Sequence, residues 1–330
     1  MSLAQRQPKK SPHRVVLTGA SGTLGTALLE ILGNDPRYKV LVLLRKPMAA
    51  LSLYRSVSAR KVDFSNHRRL KKTIQSFRPK TVVHAIATGM KNPRCDWDDL
   101  VRVNVDLPLR LLEACRNRIN PHFILISTGL AYRNQGRPLR ESDPLGTAHP
   151  YGASKAAADL VMESAAAENQ TPLTVVRAFP FTGPGDVGSR LFPSLLRSAH
   201  SKIPLQLTSG RQVRDFLSAR DVAEGIVALV KKSPPPVRQA AIYNLGSGAG
   251  RPVRRIVEEV ARELGLKGVL HFGKKKADGE TRFLVADGRK ARRELGWVPQ
   301  ENLAHAVWRL AKVSFPRLKV REPAREMQRS

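Results

Sequence analysis

Thr18-Gly19-Ala20-Ser21-Gly22-Thr23-Leu24-Gly25 stands between a short apolar run, Val15 to Leu17, and an apolar helical pattern, Leu24 to Leu32. That order predicts a buried strand, a glycine-rich turn and the start of a helix. Gly19 and Gly22 let the backbone approach a pyrophosphate with no side chain in the way, and Gly25 lets the helix pack closely on the sheet. The N–H groups left free at a helix start then face the phosphates. The spacing T-G-x-x-G-x-x-G differs from the G-x-G-x-x-G of the best-known dinucleotide fingerprint. Taken alone it fits an ordinary tight strand-to-helix turn equally well.

The chain downstream repeats the strand–helix alternation. Lys39 to Leu44 reads as a second buried strand, and a third ends at Val62-Asp63. A basic helix, Asn66 to Phe77, is followed by Pro79 and a fourth strand, Thr81 to Ala85. Leu100 to Arg116 has helical apolar spacing, Phe123 to Ile126 is an unbroken apolar run, and Leu173 to Arg177 is a sixth strand. Such alternation implies a parallel sheet covered by helices on both faces. His84 ends a strand where a cofactor would pass, and a histidine so placed is read as structural.

Composition narrows the class. The 330 residues can bury a large core, and no apolar run is long enough to span a membrane. Met1 to Arg14 is polar and basic with no apolar signal core, which predicts a disordered tail over residues 1–13. Two cysteines, Cys95 and Cys115, offer neither a disulfide framework nor metal spacing, so no metal is expected and a reducing cytoplasm fits. Lys and Arg total 57 against 27 acids, a formal net charge of +30. Such a field attracts anions. The basic pairs are scattered, aromatics are only 5%, and no nucleic-acid motif accompanies them, so no dedicated nucleic-acid binding is expected.

Two features speak for a cofactor and for chemistry. The second strand ends in Arg45-Lys46, where an acid would hold the ribose hydroxyls of NAD. Cations there accommodate a 2′-phosphate, so NADP(H) is the expected cofactor, with NAD(H) the other possibility. Tyr151 and Lys155 open an alanine-rich helix, Ala153 to Glu168, and lie one turn apart on one face. An ammonium beside a phenol lowers its pKa from about 10, so the pair can give or take a proton at a substrate oxygen. Thr128, delivered by the fifth strand to the ligand-binding edge of the sheet, can orient the same oxygen.

In this order the motifs resemble those of the extended short-chain dehydrogenase/reductase superfamily, in its nucleotide-sugar epimerase, dehydratase and reductase branch. The resemblance runs from about Val15 to Leu310. It implies a Rossmann-type, doubly wound parallel sheet over 14–178, completed by about 215–248. A smaller α/β substrate-binding cap would take 179–214 and 249–315, and 316–330 would be a mobile tail. It implies cofactor contacts from Thr18, Gly19, Ser21, Gly22, Thr23, Leu24, Gly25, Arg45, Lys46, Asp63, Phe64, Ala85, Ile86, Ala87, Phe179 and Pro180, with Tyr151 and Lys155. Thr128, Tyr151, Lys155 and the mid-helix Asn104 match its catalytic positions. Thr128, Gly129, Pro180, Arg214, Lys276 and Glu280 would face substrate, with Arg214 on a diphosphate. Trp297, in the terminal signature, would pack the cap. A homodimer through the helices at 100–116 and 153–168 is also implied.

The reaction is read from departures. Gly129-Leu130 follow Thr128 where the family's dehydratases carry an acid pair, which argues against water elimination. Arg45-Lys46 argues against an epimerase that keeps NAD. The expectation is therefore NADPH-dependent reduction of a keto group on a nucleotide-linked 4-keto-6-deoxy sugar, with Tyr151 as proton donor. An NAD-retaining epimerase, or a catalytically weak dinucleotide-binding sensor, is the alternative. Pro180 stands where the family usually has a substrate-contacting Asn, which leaves the sugar open.

Overall fold

The computed structural model describes residues 11–90, 96–116, 120–146, 149–266, 270–275 and 281–326. In chain order its first half comprises β1 (His13–Thr18), α1 (Thr23–Leu32), β2 (Tyr38–Leu44), β3 (Val57–Lys61), α2 (His67–Phe77), β4 (Thr81–His84), α3 (Trp97–Val101), α4 (Leu107–Cys115), β5 (His122–Thr128), α5 (Pro150–Glu168) and β6 (Leu173–Ala178). The second half comprises β7 (Phe181–Thr182), α6 (Leu191–Ser201), β8 (Leu205–Gln206), β9 (Val213–Arg214), β10 (Leu217–Ser218), α7 (Ala219–Lys231), β11 (Ala241–Leu245), β12 (Arg251–Pro252), α8 (Val253–Glu263), β13 (Leu270–His271), β14 (Phe283–Leu284), α9 (Arg289–Leu295) and α10 (Leu303–Ser314).

Seven strands form one parallel sheet in the order β11-β6-β5-β4-β1-β2-β3. The chain starts in the middle, winds outward through β2 and β3, then crosses back through β4. This is the doubly wound Rossmann arrangement, whose ligands bind at the carboxyl ends of the strands where the winding reverses, here between β1 and β4. Strand alternation assigns the two faces. Val15, Leu17, Val40, Val42 and Val176 pack with α1 and α7, while Val16, Leu41, Leu43, Phe123 and Leu125 pack with α2, α4 and α5. Continuous apolar strands buried on both sides are what the sequence runs required. A third core joins Phe192, Leu195 and Leu196 of α6 to Val257 of α8 and Val307 and Leu310 of α10.

Four sequence expectations need correction. The helix expected over 100–116 begins at Trp97 and changes hydrogen bonding in the middle, where Arg102–Asp106 form a π-turn between α3 and α4. Trp297 does not pack the cap. Its ring lies in the α1/α7 core and its Nε1 donates to Asp221 O at 2.9 Å, because Gly225 leaves room on α7 for the indole. Of the tail expected over 316–330, residues 317–326 are tied down rather than loose, and 327–330 lie outside the described residues: Arg321 N donates to Leu264 O, Asn302 N to Arg325 O, and Leu318 and Val320 rest on the third core. Likewise His13, expected in the N-terminal tail, opens β1 and bonds Thr81 through its ring at 2.9 Å. Among the described residues no helix is long and apolar enough to cross a membrane.

The docked C-terminal segment makes a prediction. A chain ended at Pro316 should lose about 1–3 kcal/mol from the removed apolar burial and backbone bonds, read as a lower midpoint in urea unfolding. An unchanged midpoint would contradict the docking.

Candidate active site

The turn between β1 and α1 is held by contact with the exit of β4. Gly19 has φ +77°, and a Cβ there would stand 2.6 Å from the carbonyl carbon and oxygen of Ala85. At Gly25 a Cβ would stand 2.1 Å from Gly19 O. Both positions therefore exclude a side chain for reasons internal to the fold. Gly22 differs: a Cβ would meet only Gly19 O, at 3.4 Å, and the residue lines a cavity. Its bareness keeps open the approach to the start of α1.

That cavity, of about 810 Å³, runs along the carboxyl ends of the strands. It is lined by Gly22, Thr23, Leu24 and Gly25 with Ala85 and Ala87, by Ser127, Thr128, Tyr151, Phe179 and Pro180, and by Arg190, Phe192, Thr208, Arg214, Lys275 and Thr281. The glycine turn, the proposed proton-transfer residues and the cations of the second half thus share one space. The Thr128 hydroxyl accepts from Leu130 N at 3.2 Å, which fixes it at the end of β5. Lys155 lies behind the wall, 1% exposed, and its Nζ has no hydrogen-bond partner.

Electrostatics here oppose part of the sequence reading. Burial pushes the Tyr151 phenol up to about 12; Arg190 pulls it down and Asp159 pushes it up. Lys155 was expected to lower the phenol, yet burial drives its own ammonium down to about 8, with Asp159 opposing that fall. Desolvation outweighs the neighbouring charge because both groups sit in a dry wall. The cation that acts on Tyr151 is Arg190, held by Asp186 at 2.9 Å and by Phe181 O at 2.8 Å. Sequence reasoning missed it, since its only signal is an arginine just ahead of α6. His84 is driven to about 3 by burial and then by Lys155, so it is neutral, and its Nδ1 bonds Thr18 Oγ1 at 2.9 Å. This agrees with the structural reading of His84.

Other predicted residues fall outside the cavity lining. Asn104 sits in the π-turn, fully buried. Its amide oxygen accepts from Thr88 N, and its Nδ2 donates to Thr88 O and to Ser154 Oγ, so it braces the loop after β4 against α5 and stands behind the cavity-lining Thr88 without lining the cavity itself. Gly129 is buried, with the Phe179 ring where its Cβ would be, at 2.9 Å. Phe64 and Ile86 pack in the α2/α4/α5 core. The Asp63 carboxylate accepts from Ser65 N and Oγ, and Ser21 is exposed on the turn. Arg45 and Lys46 are exposed just beyond β2, beside the exposed Lys61 that ends β3. Lys276 and Glu280 lie outside the described residues, although Lys275 and Thr281 on either side line the cavity. Among the described residues no cluster of three His, Cys, Asp or Glu side chains stands ready for a metal.

The residues present fit a nicotinamide dinucleotide. A helix start opens onto the cavity past a glycine with free space above it, and Thr23 Oγ1 and Lys155 Nζ are buried polar atoms without partners. Buried polar groups rarely stay unpaired, so ligand hydroxyls and phosphates are natural partners. Gly22→Ala should therefore leave unfolding within about 1 kcal/mol of wild type while weakening dinucleotide binding. Gly25→Ala should lower stability itself, by about 2 kcal/mol or more. Paired urea unfolding and dinucleotide titration separate the two, and equal behaviour of the variants would contradict this division.

Comparison with known proteins agrees with the geometry. The profile of the NAD dependent epimerase/dehydratase family matches residues 15–246. A Bacillus subtilis protein described as an uncharacterized UDP-glucose epimerase is 25% identical, over 88% of this chain and 94% of its own length. A dTDP-glucose 4,6-dehydratase of Neisseria gonorrhoeae is 24% identical, over 90% and 93%. Among solved structures, a UDP-glucuronic acid 4-epimerase from Bacillus cereus, in complex with UDP-glucuronic acid and NAD, has the same fold. It superposes with a TM-score of 0.80 at 23% identity, covering 91% of this chain and 98% of that one. The strand order, the glycine turn and the match over most of the chain make this protein an enzyme of the NAD dependent epimerase/dehydratase family, within the extended short-chain dehydrogenases/reductases.

Proposed function

We propose that this chain is a nucleotide-sugar epimerase that keeps its nicotinamide dinucleotide through the catalytic cycle. The observation that carries the reading is the one cavity that Tyr151 and Thr128 line together with the glycine turn and the cations Arg190, Arg214 and Lys275. A sugar nucleotide bound there lays its diphosphate toward the cations and its sugar toward Tyr151. Bound dinucleotide supplies a hydride acceptor that returns the hydride within the same cycle. Tyr151, whose phenolate form Arg190 favours against burial, takes the proton of the reacting sugar hydroxyl and gives it back, Thr128 orients that oxygen, and Lys155 holds the ribose of the dinucleotide. The second-half segments that carry the cations act as the substrate cap.

Relatives named as epimerases favour this over the reductase expected from Arg45-Lys46. Against dehydration stands the residue pair after Thr128: Gly129, packed under Phe179, and Leu130 provide neither acid nor base. The reductase remains the second reading on one observation, the exposed Arg45, Lys46 and Lys61 at the ends of β2 and β3, which suit a 2′-phosphate. The apolar side chains of Trp97, Val101, Leu160 and Val161, exposed on α3 and α5, fit the homodimer face that we propose. We place the enzyme in the cytoplasm, in keeping with a sequence whose two cysteines offer no disulfide framework.

Purified protein should interconvert UDP-glucose and UDP-galactose, or another 4-epimeric UDP-sugar pair, with no dinucleotide added and none consumed. Tyr151→Phe should cut turnover by about 10²–10⁴-fold with little change in dinucleotide binding. Undiminished turnover in that variant would overturn the assignment of Tyr151. Turnover that requires stoichiometric NADPH would establish the reductase reading instead.

A further inference from the structure

Behind the catalytic wall lies a buried ion pair that the chemistry above does not use. Asp159, on α5 one turn beyond Lys155, is 3% exposed, and its Oδ2 accepts from Arg177 Nε at 2.9 Å. Arg177, on β6, is itself held on three sides. Its guanidinium lies 4.6 Å from the Tyr132 ring centroid, its NH1 donates to Glu141 O, and Tyr132 is fixed by its bond to Asn244. Ion pairs this deep are poor sources of stability compared with well-packed apolar residues. Their presence calls for another reason.

Beside the pair, Lys155 Nζ has no hydrogen-bond partner, while Arg177, the Ser127 hydroxyl and Lys155 oppose the rise that burial gives the Asp159 carboxyl. Residues four apart on a helix face have Cβ atoms about 6 Å apart, so the Asp159 carboxylate and the Lys155 ammonium face one side of α5 without closing into a contact pair. Other titratable and charged groups around Lys155 are few. His84 from β4 is neutral, burial favours the neutral form of Tyr151 from α5, and Arg177 from β6 is a cation already engaged by Asp159. Among the described residues around Lys155, Asp159 is the one anion.

We propose that Asp159, clamped by Arg177, is a positioning residue that keeps Lys155 protonated and upright inside a dry wall, so that an ammonium rather than an amine meets the dinucleotide ribose. The inference rests on the role given to Lys155 under the epimerase reading, and it assigns the Asp159–Arg177 pair a task. Burial alone drives the Lys155 ammonium down, and Asp159 is the group that opposes it. Loss of that carboxylate carries the titration further down, toward neutrality. Lys155 would then lose its proton, and its hold on the dinucleotide, at a lower pH than in the wild type.

The test is an NMR titration of the full-length protein carrying 13Cε-lysine, with the Lys155 resonance assigned by its loss in Lys155→Met. In the wild type that resonance should titrate near pH 8. In Asp159→Asn it should titrate about one pH unit lower or more, and Asp159→Glu should restore the wild-type value. Should Asp159→Asn fail to fold, with Arg177 left unpaired, Asp159→Leu combined with Arg177→Met removes both charges and should show a smaller fall in the same direction, since loss of the Arg177 cation offsets part of the loss of the nearer anion. Dinucleotide affinity, followed by fluorescence across the same pH range, should drop at the lowered pH in both charge-removing variants. A Lys155 titration unchanged in a folded variant overturns the proposal. A lowered titration with unshifted dinucleotide affinity supports the Asp159–Lys155 coupling and removes Lys155 from the cofactor contacts.

Discussion

The close approach of two backbones, the turn after β1 and the exit of β4, is the constraint on which the site depends. Gly19 can lie there only with a positive φ and no Cβ, because the carbonyl of Ala85 fills that space. Gly25 must be equally bare because Gly19 O stands where its side chain would begin. With the turn so fixed, α1 starts at the edge of the sheet and opens its first N–H groups to the cavity. The reversal of winding between β1 and β4 puts the mouth of that cavity where β5 delivers Ser127 and Thr128 and α5 delivers Tyr151. Sheet topology and a few ångströms of backbone clearance thus decide where chemistry can happen.

The cost of this placement is dryness. Tyr151 and Lys155 are buried almost completely, and burial works against the charged form of each. The fold answers with fixed charges: Arg190, tethered by Asp186, acts on the phenol, and Asp159, tethered by Arg177, acts on the ammonium. In each case the charge nearest the reacting group is held by a buried partner, Asp186 in the cavity lining and Arg177 behind it. Ligand binding completes the balance, since Lys155 Nζ and Thr23 Oγ1 have no partner in the protein.

Much of the fold was legible because it is written in short-range pattern. The unbroken apolar runs at β1, β2, β4 and β5 and the glycine spacing required a parallel sheet with a turn at its centre. Tyr151 and Lys155 were legible from helical spacing together with the order of the motifs around them. What was not legible depends on contacts far apart in sequence. Trp297 pairs with Asp221, 76 residues away, and so serves the sheet core rather than the cap. Asn104 proved to be a brace because Thr88 and Ser154 take both ends of its amide. Arg190 carries no motif and gains meaning only when α6 folds over the cavity. The sign of the Tyr151 shift was misread because spacing reports a neighbouring charge and says nothing of desolvation. The choice between reductase and epimerase was drawn from Arg45-Lys46, exposed residues that constrain the cofactor more than the reaction.

The central claim is that the cavity holds a nicotinamide dinucleotide against the glycine turn, with Lys155 as its buried anchor. A crystal structure of the protein with its dinucleotide bound tests this most directly. The account predicts phosphates over Gly22 at the start of α1 and the nicotinamide ribose hydroxyls within hydrogen-bond reach of both Lys155 Nζ and the Tyr151 hydroxyl. A dinucleotide seated elsewhere, or one that leaves Lys155 Nζ without a partner, would contradict it.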